Sequence, residues 1–353
     1  MIDTDHKLKT VLPRLQSAGW IAVDTEADSL HAYPEKLCLL QLSIEGEDLL
    51  LDPLATMSMK PVLETLAQHE LILHGADYDL RLLRKSFGFV PTSIFDTMLA
   101  SRLLGCREFG LLNLVDKYLG AKLEKGPQKA NWARRPLTER MEAYARNDTK
   151  YLRPLAELLR TELQAKGRLK WHQETCAQLV AQCAIARLAD PETVWRVKGS
   201  HRLRPPSLAV LREIWRWREE EAVSANKPPY FILSPDVMVA VAAAAGEAQP
   251  FEHLLPRSFS PRRQQGIQRA VDAGLTNEKL PGFIRVKGTR QNEAEKKRLR
   301  VLEQRRDERG MELEIDPTLI ANRATLILLA KDWSTYQAEL MNWQRTLLQA
   351  DNE

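Results

Sequence analysis

The first hundred residues alternate between strand-like and helix-like patterns of apolar and polar positions. A short apolar run, Trp20 to Val23, leads straight into DTEADSL and reads as a strand ending in acids. Lys36 to Ile44 and Asp48 to Asp52 are β-rich runs separated by Glu45, Gly46 and Glu47, the spacing of a hairpin. Together these runs predict three antiparallel strands. Helical periodicity over Met59 to Gln68 precedes a fourth strand, Glu70 to His74, after which Leu80, Leu83 and Phe87 share a helical face that Gly88 ends. Ile94 to Cys106 predicts a short strand passing into a helix, and Lys122 to Leu137 has the composition of a loop. Thr138 is placed to cap a helical pattern running from Arg140 to Leu163. This order predicts an α/β fold, a mixed sheet with helical cover. Beyond Asp190 the pattern is all-helical.

The helical half repeats. RVKG occurs at Arg196 to Gly199 and again at Arg285 to Gly288. Leu211 to Ala242 aligns without a gap on Leu299 to Ala330, pairing Arg212 with Arg300, Pro229 with Pro317 and Ile232 with Ile320. Two matches at nearly one offset predict two copies of a small helical module, too few for a solenoid.

A chain of 353 residues with 44% hydrophobic and 28% charged residues and a mean hydropathy of −0.36 is globular and large enough for two or three domains. Its longest apolar run, Val237 to Ala245, is too short to span a bilayer. The N-terminus, MIDTDHKL, lacks the order of a secretion signal, so a cytoplasmic location is expected. Cys38, Cys106, Cys176 and Cys183 stand singly and are expected to be small hydrophobes in a reducing compartment. Net charge is only +4, but it is uneven: Arg257 to Arg309 holds 15 basic residues against 7 acidic ones.

The chemistry rests on acids. Asp24 and Glu26 lie two apart at a strand end, so both carboxylates leave the same face. Such a pair is mutually repulsive unless a cation, most simply a hard divalent one with oxygen ligands, compensates. Asp79 falls in the first turn of a helix, where the dipole favours a carboxylate whatever its role, and its neighbour Asp77 reads as a cap. Tyr144 and Asp148 are four apart on one helix and share a face. Oxygen donors without a His or Cys cluster suit Mg²⁺ or Mn²⁺ rather than Zn²⁺.

The sequence of these motifs, D-x-E, a later helical Asp, then Y-x-x-x-D, resembles the DEDD exonucleases with a tyrosine in the third motif. VDTEADSL, HGADYDLRLL, FDTMLASRLLG, NWARRPL and YARNDTKYL are similar to the ribonuclease D family, and the helical repeats to its HRDC domains. The resemblance covers nearly the whole chain. It implies a ribonuclease H-like exonuclease domain over 1–195, an HRDC domain over 196–284 and a second HRDC-like domain over 285–353. It implies two divalent ions held by Asp24, Glu26, Asp79 and Asp148, with Tyr144 orienting the attacking water. The implied activity is 3'-to-5' hydrolysis of single-stranded RNA ends, releasing 5'-mononucleotides, with transfer RNA precursors as a natural substrate class. No membrane and no obligate protein partner is expected. Leu30 is the expected contact to the terminal base. Lys125, Lys129, Arg134 and Arg135 are candidate phosphate contacts, and Trp132 is the candidate stacking platform. Two readings stand beside this one: a DNA exonuclease using the same acids, and a catalytically dead nucleic-acid-binding adaptor.

Overall fold

The computed structural model describes residues 1–186, 190–282 and 291–349. Helix α1 (Asp5–Gln16), which lies outside the expected elements, precedes strands β1 (Ile21–Ala27), β2 (Leu37–Ile44) and β3 (Glu47–Leu51). Then come α2 (Lys60–Leu66), β4 (Glu70–Leu73), α3 (Asp77–Phe87), β5 (Ser93–Asp96), α4 (Thr97–Leu103) and α5 (Leu111–Leu119). The long helical pattern after Thr138 is two helices, α6 (Glu139–Lys150) and α7 (Leu152–Ala165), followed by α8 (Leu169–Ala184).

The five strands form one sheet in the order β3-β2-β1-β4-β5. β1, β2 and β3 pair antiparallel, whereas β4 and β5 join parallel to β1. Both faces are covered, which is why the strands read as continuous apolar runs. Ile21, Val23, Leu71 and Leu73 enter a cluster with Leu8, Val11 and Leu15 of α1 and Leu80 and Leu83 of α3. Ala22, Ile72 and Phe95 face the other way, toward Leu103 of α4, Leu114 of α5 and Leu155 and Leu159 of α7.

The remaining helices are α9 (Pro205–Ala225), α10 (Pro229–Ile232), α11 (Pro235–Gly246), α12 (Pro261–Leu275), α13 (Glu293–Glu312), α14 (Arg323–Lys331), α15 (Trp333–Tyr336) and α16 (Asn342–Leu348). The repeat is visible in their starts. Helices α9, α10 and α11 begin at 205, 229 and 235; α13, a 3₁₀ turn and α14 begin at 293, 317 and 323, the same interval later each time. The second RVKG, at 285–288, lies outside the described residues.

The contacts divide the chain into two units rather than along the three expected ranges. One comprises Met1–Ala27, Leu37–Ile185 and the described part of Thr289–Glu353; the other comprises Asp28–Lys36 and the described part of Ala186–Gly288. The second copy therefore does not stand apart from the sheet. Its Leu299, Leu302, Leu326 and Leu329 join the cluster of Leu155 and Leu159, and Trp343 stacks on Trp171 with ring centroids 5.0 Å apart. Arg168 pins this arrangement by donating to the carbonyls of Leu103 and Leu313 at 2.8 Å. The basic segment is also partly spent on structure: Arg298 donates to the Ala330 carbonyl, Arg305 to that of Leu348, and Arg263 to Glu221.

In the other unit α9 packs along α11 and α12 around Leu211, Ile214, Val241 and Ile267. The loop Asp28–Lys36 belongs here: the Tyr33 hydroxyl donates to Glu219 at 2.5 Å and its amide donates to the Asn226 side chain at 3.2 Å. Among the described residues no helix is long and apolar enough to cross a membrane.

Candidate active site

β1 delivers Asp24 and Glu26 to one face, and the register sets Asp24 opposite Gln41 of β2, whose amide donates to Asp24 Oδ2 at 3.2 Å. Helix α6 lies over that face, capped by the Thr138 side chain as expected. Ser43 ties the helix down through Thr149 at 2.7 Å, and Arg146 donates to the Asp48 carbonyl. One residue before Thr149, Asp148 is brought by this docking to the strand end. Carboxylate oxygens of Asp24, Glu26 and Asp148 lie within 4.8 Å of one another.

Asp79 arrives from α3 and accepts the Thr25 hydroxyl at 2.5 Å. The turn before it is held by Asp96, fully buried, which accepts from the amides of Gly75 and Ala76 while capping α4 through Met98 and Leu99. Asp77 is not the expected cap. Ala76 takes the N-cap position, and the Asp77 carboxylate pairs with Arg81 at 2.8 Å.

Electrostatics show how crowded the acids are. Burial, then the charges of Asp148 and Asp79, pushes Glu26 up to about 9. Asp24 is raised well above the carboxylate range by burial, with Asp79, Asp148 and Glu26 adding to it. Asp79 and Asp148 are each raised by burial to about 7, even though Thr25 and Tyr144 donate to them. Tyr144 is raised too, by burial and then by Asp148, so its hydroxyl keeps its proton. An all-oxygen cluster of carboxylates that resist ionising together is a fitting donor set for hard divalent cations.

A pH dependence follows. With folded pKa values above their unfolded ones, these acids bind more protons in the folded, metal-free chain than in the unfolded chain between about pH 4 and 9. The stability they contribute is complete below about pH 4 and is lost as pH rises. Thermal melts in chelator should therefore fall from about pH 5 to about pH 8.5, and Mn²⁺ should raise the midpoint most at the higher pH. A midpoint that climbs over that range contradicts this picture.

The acids open onto a cavity of about 630 Å³ lined also by His74, Tyr78, Lys125, Gln128 and Tyr144. Gly126 makes this loop possible, since a Cβ there would fall 1.5 Å from the Tyr144 ring. Lys125 is the one candidate phosphate contact that lines the cavity; Lys129 and Arg134 are exposed outside its lining.

Arg135 is not a phosphate contact. Its guanidinium is consumed by Asp52, at 2.5 and 2.7 Å, and by the carbonyls of Cys38, Trp132 and Arg134. Trp132 is not a stacking platform either. It is 1% exposed, packed with Leu39, Leu50, Leu137 and Met141, its ring centroid 6.1 Å from that of Tyr144. The polar loop around it concealed a core residue. The aromatic beside Asp79 that lines the cavity is Tyr78. Leu30 is half exposed in the loop that groups with the helical unit. Thr25, Gln41 and Asp96 were not foreseen, because each acts through a partner at least 17 positions away.

Residues 1–164 match the 3'-5' exonuclease family and residues 207–246 the HRDC domain. A ribonuclease D of Gluconacetobacter diazotrophicus is 31% identical over 363 residues, covering 98% of this chain and 90% of that one. The chain belongs to the ribonuclease D family. A ribonuclease D of Desulfotalea psychrophila is 28% identical over 360 residues, covering 99% of this chain and 96% of that one. The fold agrees with a crystal structure of a protein from Bifidobacterium adolescentis, with a TM-score of 0.83 at 23% identity over 99% of this chain and 94% of that one. It agrees also with that of Escherichia coli RNase D, with a TM-score of 0.73 at 24% identity over 100% of this chain and 92% of that one. As a member of the ribonuclease D family the chain is a 3'-to-5' exoribonuclease, a hydrolase of phosphodiester bonds. That excludes the adaptor reading.

Proposed function

We propose that Asp24, Glu26, Asp79 and Asp148 hold two divalent ions, Mg²⁺ or Mn²⁺, and that the cavity beside them receives single-stranded RNA 3' ends, transfer RNA precursors among them. The observation that carries this reading is the convergence of three motif acids within 4.8 Å at the mouth of one cavity, with Asp79 lining it too. Bound divalent ions supply a nucleophile near neutral pH and stabilise charge growing on the leaving oxygen. The protein's own groups do the rest. Tyr144 donates to Asp148 and is held by Gln128, so its hydroxyl has a fixed place from which to orient a water molecule. Its raised pKa makes it a hydrogen-bond partner and not a base. Lys125 offers a cation to the backbone entering the cavity.

The test is a 5'-labelled RNA with a free 3'-hydroxyl, incubated with Mg²⁺. A ladder shortening from the 3' end, stopped by chelator and by a blocked 3' end, supports the reading. Faster loss of a matched DNA strand overturns the RNA assignment. Trimming of a transfer RNA precursor no faster than that of an unrelated structured RNA removes the precursor from it.

Tyr144→Phe should lower kcat about 10- to 100-fold with KM little changed, because orientation is lost and the ions are kept. Single-turnover rates check this, and a loss as deep as that of removing a metal-holding acid assigns Tyr144 more than orientation.

A further inference from the structure

His74 carries an acceptor that the protein leaves unused. It follows the last residue of β4, and the parallel register of Ala22 with Ile72 puts its side chain on the same face as Asp24 and Glu26. The paired register ends at Ala22 and Ile72, so beyond it β1 and β4 are free to part, and the cavity lies at their carboxyl ends. This is the usual place for a ligand in a sheet with parallel neighbours. His74 is one of the residues lining that cavity.

The hydrogen-bond partners point to one tautomer. Nδ1 lies 2.9 Å from Thr97 Oγ1, whose single proton has the Leu73 carbonyl within reach at 3.1 Å. With that proton assigned to the carbonyl, Thr97 accepts from the ring, which puts the hydrogen on Nδ1 and the lone pair on Nε2. Among the described residues Nε2 has no hydrogen-bond partner. Burial also lowers the pKa of His74, which favours the neutral ring.

A lone acceptor in the cavity calls for a donor on the ligand. At neutral pH phosphodiester oxygens only accept. Base amino and imino donors differ in kind and place among the nucleotides, whereas every ribonucleotide carries the same ribose hydroxyls. We propose that His74 Nε2 accepts a hydrogen bond from the 2'-hydroxyl of the 3'-terminal ribose, making His74 a specificity-determining residue for RNA over DNA. The inference rests on the exoribonuclease reading of this cavity and adds the group by which it recognises its sugar.

The experiment measures kcat and KM with Mg²⁺ on three oligomers: all-RNA, the same strand with a 2'-deoxy terminal nucleotide, and one with a 3'-deoxy terminal nucleotide. Wild-type protein should prefer all-RNA over the 2'-deoxy end by roughly tenfold in kcat/KM, the worth of one neutral hydrogen bond in a buried site. His74→Phe should lose about that factor on all-RNA and none on the 2'-deoxy end, so that the two become equal. His74→Gln, whose amide can offer Thr97 a donor and the cavity an acceptor, should keep part of the preference. Equal losses on both ends would make His74 merely structural, and an unchanged preference would remove it from sugar recognition. Lost discrimination against the 3'-deoxy end alone would assign the contact to the other hydroxyl and overturn the inference. Should His74→Phe fail to fold, the preference retained by His74→Gln decides. Absence of any shortening by the wild type would instead defeat the reading of the cavity itself.

Discussion

Asp24→Asn should lower turnover by about 10⁴-fold or more while raising the melting temperature of the metal-free protein. The two effects have one cause. Asp24 is partly buried among Asp79, Asp148 and Glu26, and desolvation and their charges disfavour its own charge in the metal-free fold. A neutral amide of the same shape removes that repulsion, and one oxygen can still accept from Gln41. On the proposed two-ion reading the substitution also removes a ligand, and with it the stabilisation that bound ions would give the attacking water and the leaving oxygen. Single-turnover cleavage and thermal melts in chelator check both halves. Activity within tenfold of wild type, or a melting temperature lowered by several degrees, would contradict the account.

Trp132→Ala should cost about 3–5 kcal/mol of stability, a large part of a typical domain's margin. The indole fills the space between β2, β3 and α6, against Leu39, Leu50, Leu137, Met141 and Ala145. Tyr144 packs on the same cluster, so the hole should also loosen the hydroxyl that faces Asp148 and lower kcat. Trp132→Phe should cost much less, since the buried indole nitrogen has no hydrogen-bond partner to lose. Urea unfolding monitored by circular dichroism measures this. A cost below about 1 kcal/mol for the alanine variant would mean that the cluster collapses around the gap.

Trp132 also marks where sequence reading stops. The strands were legible because both sheet faces are covered, leaving β2 without a single exposed residue. Period two placed Asp24 and Glu26 together, and period 3.6 placed Tyr144 with Asp148, before any tertiary contact was known. Helix α1 was equally marked, by Leu8, Val11 and Leu15 and by the Thr4 cap, yet a single short helix before the first strand announces no partner.

Long-range partners were hidden. Arg135 looks like a free cation among loop residues, but Asp52, 83 positions away, claims it. The repeat was visible in RVKG and the matched prolines, but periodicity shows only that a helix has an apolar face. It does not show that α13 buries Leu299 and Leu302 with α7 while α9 packs along α12. For that reason removing the chain after Gly199 should damage the core beneath the sheet as well as the helical unit, and single substitutions are the cleaner probes.

The central claim is that these acids form one metal centre. Anomalous diffraction from a crystal soaked in Mn²⁺ tests it most directly. Peaks are expected in contact with the carboxylates of Asp24, Glu26, Asp79 and Asp148, lost from an Asp24→Asn crystal treated in the same way. Peaks only elsewhere on the surface, or carboxylates that point away from a common centre, would contradict it.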